Sequence, residues 1–481
     1  PGQVHLSWQG STETTMTVTW RSSANSGEVQ YGPTASFGKS VKASSMSYHG
    51  SYLHQAQLTG LPPGGKTYYR CGTAGDWSQA RAFLTAPTGA TSYRYAAHGD
   101  SRTDDSSRAK VRALMQTRDP AFSLHTGDFV SSGSVQSQWD TFFTTMEPLY
   151  AVSPMLGSMG NHEGHSSNYY NQMAFPAYTP QVSGVKDEMF YSFDYGSTHF
   201  VALSSEHSPT STDQMAVWLK KDLIKAAKDP KIRFTVVYAH QPLYSSGPHG
   251  NFTAGQKAWL HLFESFGVDV TFWGHDHTYE RTKPMFQGKP VIKGGVTHIV
   301  TGGAGAPLYT AKGAFFTASV KAFYHFVEVN VAGGQMKLDT LGLDGKVFDT
   351  MTISKPGPKA KWIMDGAPDP GVKALASGGG ELKGLYAGFD GRYLYVATNG
   401  GSAKLDHFIL VSATKPTGLS TAPWNKAGKT WDRAAMLAME SSSGWSNWQD
   451  PNAGATTIPM GSVWKYHDSG KDLGTAWLGA G

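Results

Sequence analysis

The chain carries a single cysteine, Cys71, so no intrachain disulfide can form and its stability has to come from packing. Charge is also scarce: Asp, Glu, Lys and Arg make up 16% of the residues, against roughly 25% in an ordinary globular protein. Disorder does not explain the shortage, because hydrophobic residues reach 39%, aromatics 12% and the net charge is only +5. Long apolar runs are missing too. Stretches such as 234–239 and 266–273 fall far short of the roughly 20 residues that a membrane-spanning helix needs. No Lys/Arg run stands out among the 41 basic residues, which argues against a nucleic-acid-binding arm. What is abundant is glycine, at 56 of 481 residues. Low charge with much Gly, Ser, Thr and Trp reads as an exported protein, secreted or periplasmic and of bacterial type. The start at Pro1 suits a mature chain whose signal peptide has been removed.

At roughly 150 residues per domain, the length suggests three domains. Residues 1–88 read as all-β: the segments 4–8, 16–20, 67–71 and 81–85 alternate β-branched or aromatic residues with polar ones. About ninety residues of short strands predict a small sandwich of fibronectin type III kind. From 91 to 354 short strands at 93–98, 121–125, 153–157, 233–239 and 269–273 alternate with helical spacing at 106–117, 135–147, 212–228 and 254–266. That alternation predicts a layered α/β domain, with further antiparallel strands at 297–301, 325–331 and 335–341. The run Lys355-Pro356-Gly357-Pro358-Lys359 marks a boundary. Residues 361–481 read as β-rich, with strands at 392–398 and 407–411 and many tryptophans.

Five motifs in the middle domain follow one pattern, a hydrophobic strand ending in a side chain that binds metals. They are Gly99-Asp100, Gly127-Asp128, Gly160-Asn161-His162-Glu163, His240 after 236–239, and Gly274-His275-Asp276-His277. Ligands of open α/β sheets bind beyond the carboxyl ends of strands, so all five should converge on one crevice. A preceding glycine lets the backbone turn sharply and come close to a metal. Singly, each motif has an ordinary structural explanation: a turn, a left-handed Asn, a satisfied core histidine. His275 and His277, two apart, point the same way if the chain there is extended. Joint occurrence at five strand ends, restricted to Asp, Asn and His, makes coincidence a poor account.

In these motifs the chain resembles the calcineurin-like metallophosphoesterases, and more narrowly the purple acid phosphatases, whose ordered signature is GD, GD, GNH[DE], a strand-end His and GHxH. Tyr191-Ser192-Phe193-Asp194-Tyr195-Gly196, His240-Gln241-Pro242-Leu243-Tyr244 and Thr278-Tyr279-Glu280-Arg281 match beyond the metal motifs. The resemblance covers residues 1 to about 353, since a fibronectin-like domain also precedes the catalytic domain of plant-type enzymes. It implies a β-sandwich core flanked by helices, and two metal ions (Fe, Mn or Zn). Asp128 would bridge them, with Asn161, His240 and His275 on one ion and Asp100 and His277 on the other. It implies phosphate monoester hydrolysis by in-line attack of a metal-bound hydroxide on a small phosphorylated substrate. His162 corresponds to a phosphate-contacting histidine and is the candidate general acid. His249 and Tyr244 are candidate substrate-side residues.

Two departures from the family pattern stand out. Ser131 occupies the position at which purple acid phosphatases carry an iron-binding Tyr, and Arg102 the position at which related phosphodiesterases carry a ligand His. The first ion is therefore expected to keep only Asp100, Asp128 and His277, to bind more weakly or less selectively, and to give no tyrosinate colour. Arg102 can contact phosphate bidentately; the competing structural reading pairs it with Asp104 or Asp105. His98 is expected to support the site from behind its ligands.

The C-terminal segment resembles a DOMON-type or family-9-like carbohydrate-binding sandwich in Asp365-Gly366-Ala367-Pro368-Asp369, Leu385-Tyr386-Ala387-Gly388-Phe389-Asp390 and Asp406-His407-Phe408-Ile409. That would imply a carbohydrate partner and a candidate Ca²⁺ near Asp390 or Asp406. Three functions follow in order: a secreted dinuclear phosphomonoesterase, a phosphodiesterase on the same metals, and a surface carbohydrate-binding protein with a vestigial phosphatase domain.

Overall fold

The computed structural model describes residues 1–177, 187–207, 209–210, 212–292 and 294–355, together with seven strands between 384 and 449. At the N-terminus, alternation decides the layers. Val4 and Leu6 of Gly2–Ser7 and Val18 and Trp20 of Met16–Ser22 are fully buried. Gly2–Ser7, Met16–Ser22, Ser51–Leu58 and Ser44–Tyr48 form one antiparallel sheet. Lys39–Lys42, Glu28–Gly32, Lys66–Thr73 and Asp76–Trp77 form the second, with Arg81–Leu84 added to Lys66–Thr73. The polar strands Lys39–Lys42 and Ser44–Tyr48 were not foreseen, because strands that stay largely exposed carry no apolar alternation. Cys71 is buried in this sandwich, where burial pushes its thiol up to about 12 and leaves it an inert core group.

The next layer is a six-stranded sheet in the order Met155–Gly157, Ser123–His125, Ser92–His98, His325–Ala332, Gln335–Gly342, Val347–Ser354. Its first three strands are parallel and the rest antiparallel. A seven-stranded sheet runs Tyr191–Tyr195, Thr198–Ala202, Phe234–Tyr238, Val270–Trp273, Thr297–Thr301, Tyr279–Thr282, Thr317–Lys321, with a parallel centre. The centre strands are apolar on both faces, as expected of strands covered on both sides. Phe200, Val236 and Phe272 join one core cluster with Tyr95, Leu124 and Val327 of the six-stranded sheet. The neighbours Val201, Val237 and Trp273 join a second cluster with Leu219, Leu223, Trp259 and Phe263. Those last four lie on the helices Gln214–Lys228 and Thr253–Phe266. On the other side, Asp105–Thr117 and Gln136–Tyr150 contribute Val111, Met115, Phe142 and Met146 to the first cluster. The outcome is the expected α/β architecture of two facing sheets flanked by helices. The second helix runs beyond its expected end at 147 because Pro148, near its C-terminus, removes only one backward hydrogen bond.

The N-terminal sandwich is tied to the helix Gln136–Tyr150 by the Gln3 amide, which donates to Glu147 Oε2 at 2.7 Å, and by an Arg21–Asp140 ion pair. Residues Pro1–Lys359 make one compact unit and Ala360–Gly481 another. In the second unit Gly384–Phe389 pairs with Leu394–Asn399, His407–Val411 with Ala435–Glu440, Ala435–Glu440 with Trp445–Gln449, and Leu419–Thr421 with Lys429–Trp431, all antiparallel. The side chains there, including the tryptophans and the candidate Ca²⁺ ligands Asp390 and Asp406, lie outside the described residues. Among the described residues, no helix is long and apolar enough to cross a membrane.

Candidate metal centre

Each expected ligand stands just past a strand end, three of them on the six-stranded sheet and the others on the seven-stranded one. Asp100 follows Ser92–His98, Asp128 follows Ser123–His125, and Asn161 follows Met155–Gly157. His240 follows Phe234–Tyr238, and His275 and His277 follow Val270–Trp273. The turns that aim them are strained. Asp100, Asp128 and His275 have φ of 55°, 57° and 68°, in the left-handed region that L-residues rarely adopt. Gly127, at φ 91°, has no room for a side chain: a Cβ there would lie 2.8 Å from Gly160 N and 2.9 Å from His240 Nδ1. His275 and His277 are therefore not presented by extended chain, as the two-residue spacing had suggested. A left-handed turn sends them to different groups.

The first group gathers around Asp128 Oδ1. His240 Nε2 lies 3.3 Å from that oxygen and 3.0 Å from Asn161 Oδ1, and His275 Nδ1 is 3.2 Å from the same His240 nitrogen. The second group is Asp100, Asp128 and His277, which offer one ligand atom each, all within 4.8 Å of one another. Asp100, Asp128, His240 and His277 are buried, whereas His275 and His162 are half-buried and Asn161 is exposed, so the donors line a cleft from floor to rim.

These donors suit cations. Burial pulls His275 down to about 2 and His277 down to about 4, so both imidazoles are neutral and keep a lone pair for coordination. Burial also pushes the Asp100 carboxyl up to about 8, with Asp128 adding to the rise against the opposing pull of His240. Burial lowers His240, but Asp128 and Asp100 more than reverse it and hold the ring near about 9. Two carboxyl groups buried this close to one another form an environment that a cation stabilises.

Other side chains hold this floor in place, and sequence reasoning gave them no role. Glu163 is buried and accepts from the amides of Gly160 (2.7 Å), Asp128 (2.9 Å) and Phe129 (3.0 Å), locking two ligand turns together. His125 links the two Gly-Asp turns, with Nε2 2.8 Å from Ser101 Oγ and Nδ1 accepting from the Gly127 amide at 3.2 Å. His98, expected in that supporting place, instead sits 3.1 Å from Tyr150 Oη with its ring edge against His125. Asp276 accepts from Ser245 Oγ at 2.5 Å and from the His249 amide at 3.1 Å, which brings the 245–249 loop to the cleft. Tyr309 stacks on His277 with centroids 4.0 Å apart. Glu163 and Asp276 lie inside the quoted motifs, so their position was a signal; Tyr309, in a Gly/Pro-rich loop, carried none.

The remaining candidates divide. His162 Nδ1 lies 2.8 Å from the Ser131 carbonyl and its Nε2 3.7 Å from Asp128 Oδ2. His249 is exposed, with its ring 4.0 Å from that of His275. Tyr244 is not brought to the cleft: it is buried, and its ring packs on His298 (4.9 Å) and Phe316 (5.3 Å). Arg102 pairs with neither Asp104, which caps the first helix, nor Asp105, which pairs with Arg108. Its guanidinium instead reaches Asp128 Oδ2 and His277 Nε2, each at 3.3 Å, and Thr103 Oγ1 at 3.2 Å.

Two facing sheets with a carboxylate–imidazole cleft at their strand ends define a metal-dependent phosphoester hydrolase. A family profile described as calcineurin-like phosphoesterase matches residues 97–279, and one described as purple acid phosphatase, N-terminal domain, matches residues 1–85. Acid phosphatase type 7 of Mus musculus is 29% identical over 419 residues, spanning 74% of this chain and 91% of that protein. Purple acid phosphatase 21 of Arabidopsis thaliana is 31% identical over 306 residues, spanning 60% and 68%. The chain belongs to the purple acid phosphatase family, whose members imply a dinuclear metal centre and a phosphorylated substrate. The structure of purple acid phosphatase PPD1 from yellow lupin (Lupinus luteus) seeds has the same fold, with a TM-score of 0.65 at 23% identity over 73% of this chain and 74% of that one.

Proposed function

We propose that the chain hydrolyses phosphate monoesters, with Asp128 shared between two metal ions. The observation that carries this reading is the orientation of Asp128, which turns Oδ1 to the Asn161–His240–His275 group and Oδ2 to the side of His277 and Arg102. Asn161, His240 and His275 would hold one ion with Asp128, and Asp100 and His277 would hold the other with the same carboxylate. Oxygen and imidazole donors without thiolate suit Fe, Mn or Zn. When bound, such a pair supplies an acidified water and positive charge opposite the phosphate oxygens.

The protein's own part is to position the ester and protonate the leaving group. His162 is assigned to the leaving alkoxide, on the side opposite the attacking oxygen in an in-line displacement. With Nδ1–H donated to the Ser131 carbonyl, its transferable proton sits on Nε2, on the cleft side. His249, exposed beside His275, is assigned to the substrate. Low charge with abundant Gly, Ser, Thr and Trp supports export, and the domain cuts are placed near 89 and 356.

A phosphodiesterase is the second reading. A cavity of about 340 Å³ lined by Thr103, Ser131, Ser137, Gln138 and Thr141 has space for a second ester arm. The deciding experiment compares p-nitrophenyl phosphate with its bis ester, after chelation and after metal is restored. Faster monoester turnover that requires the metal supports the first reading, and faster diester turnover the second. Metal-independent or absent hydrolysis of both would sink the two together and leave the vestigial-domain reading.

A further inference from the structure

The two departures from the family pattern, Arg102 and Ser131, are joined in space. Ser131 Oγ is 3.2 Å from Thr103 Oγ1, and that hydroxyl accepts from Arg102 Nη1 at 3.2 Å. Thr103 holds φ at 78°, a conformation costly for a β-branched residue, so the surrounding structure maintains this seat. The seat delivers the guanidinium to the second donor group, with Nε on Asp128 Oδ2 and Nη2 on His277 Nε2, each at 3.3 Å. His277 Nδ1 is committed to the Pro307 carbonyl at 2.7 Å, so it carries the ring proton and Nε2 has the lone pair. An imidazole nitrogen has one lone pair. It can accept from a guanidinium or bind a cation, but not both.

We infer that Arg102 is a tethered cation that competes with the metal ion for the Asp100–Asp128–His277 group. The inference rests on the two-ion reading and adds to it an order of loading. The Asn161–His240–His275 group, which Arg102 does not touch among the described contacts, fills first. The other fills only when Arg102 is displaced from Asp128 and His277, so its occupancy follows the free metal concentration. The displaced guanidinium is then free for a phosphate oxygen, the partner expected for Arg102 from the sequence.

The test is calorimetric titration of the metal-stripped full chain with Mn²⁺, and separately with Zn²⁺, with metal content measured on the same samples. The wild-type chain should bind two ions, the second more weakly than the first. In Arg102→Gln the second should tighten by about 10- to 100-fold, the equivalent of one or two charge-assisted hydrogen bonds, with the first unchanged. Ser131→Ala, which removes the seat but keeps the arginine, should tighten the second ion less, and it carries the test if Arg102→Gln does not fold by circular dichroism. Two ions with unchanged affinities in the variants would overturn the competition while leaving the two-ion reading intact. A wild-type chain that takes up no metal would overturn both.

Discussion

The two halves of the cleft are built from the same residue types and share Asp128, yet they differ in what stands opposite their donors. Around Asp128 Oδ1 the neighbours are Asn161, His240 and His275, all potential ligands. Around Asp128 Oδ2 the neighbours are His162 and Arg102, and Arg102 is a cation that cannot give up its proton to make way for a metal. The difference teaches that a donor set is only half of a metal site. The charge already facing those donors decides how much an incoming ion gains.

The strongest way to break the comparison is to remove the residue common to both halves. Asp128→Asn should lose both ions by metal analysis and lower kcat/KM by more than about 10³-fold, since charge stabilisation disappears from the whole cleft. Retention of either ion would mean that the halves do not depend on a shared carboxylate. The next test separates them. His275→Ala should empty its half and reduce activity by about 100-fold or more, with little recovery in excess metal. His277→Ala should reduce activity by about 10-fold, largely restored by added metal, because that half starts out weakly occupied. Equal losses with equal rescue would erase the asymmetry.

Much of this comparison was legible in the sequence, because strand, glycine and ligand are adjacent in the chain. Asp100, Asp128, Asn161, His240 and the His275/His277 pair all arrive at one cleft from local pattern alone. What escaped the reading is held by long-range contacts. Arg102 and its acceptor on His277 are 175 residues apart, and Glu163 meets the amides of Asp128 and Phe129 from more than 30 residues away. No spacing rule reaches across such distances. Tyr244 shows the opposite failure. It follows a ligand motif closely, but its ring is apolar enough to be taken into the cluster with Phe316, which outweighs adjacency to His240.

A smaller effect should sharpen the roles at the rim. Asp276 fixes the loop that carries His249 without facing either donor group directly. Asp276→Asn should leave metal content intact and raise KM several-fold with a smaller change in kcat, the signature of a residue that positions a substrate contact. A loss of bound metal in this variant would move Asp276 from the loop to the metal centre.

Last comes a control that any pH comparison of the two halves needs. His199 is buried between two carboxylates remote from the cleft: its Nδ1 lies 2.6 Å from Asp194 on the neighbouring strand, and its Nε2 2.8 Å from Asp222 on the helix Gln214–Lys228. Burial alone would lower this imidazole, but the hydrogen bonds to Asp194 and Asp222 reverse that and raise it to about 9. The folded chain thus binds a proton here that the unfolded chain has largely released above about 6.5. The resulting stability is complete below about 6.5 and fades as pH rises through 9. Its size is on the order of 2 kcal/mol, discounted because Asp194 is largely exposed to solvent. Thermal unfolding of the wild-type chain should therefore shift down by a few degrees between pH 6.5 and 9, and Asp222→Asn should flatten that slope. Activity per bound metal at pH 6.5 should stay unchanged in Asp222→Asn. If the slope survives the substitution, the pH-sensitive group lies in the cleft itself, and any difference in pH dependence between its halves must be read there.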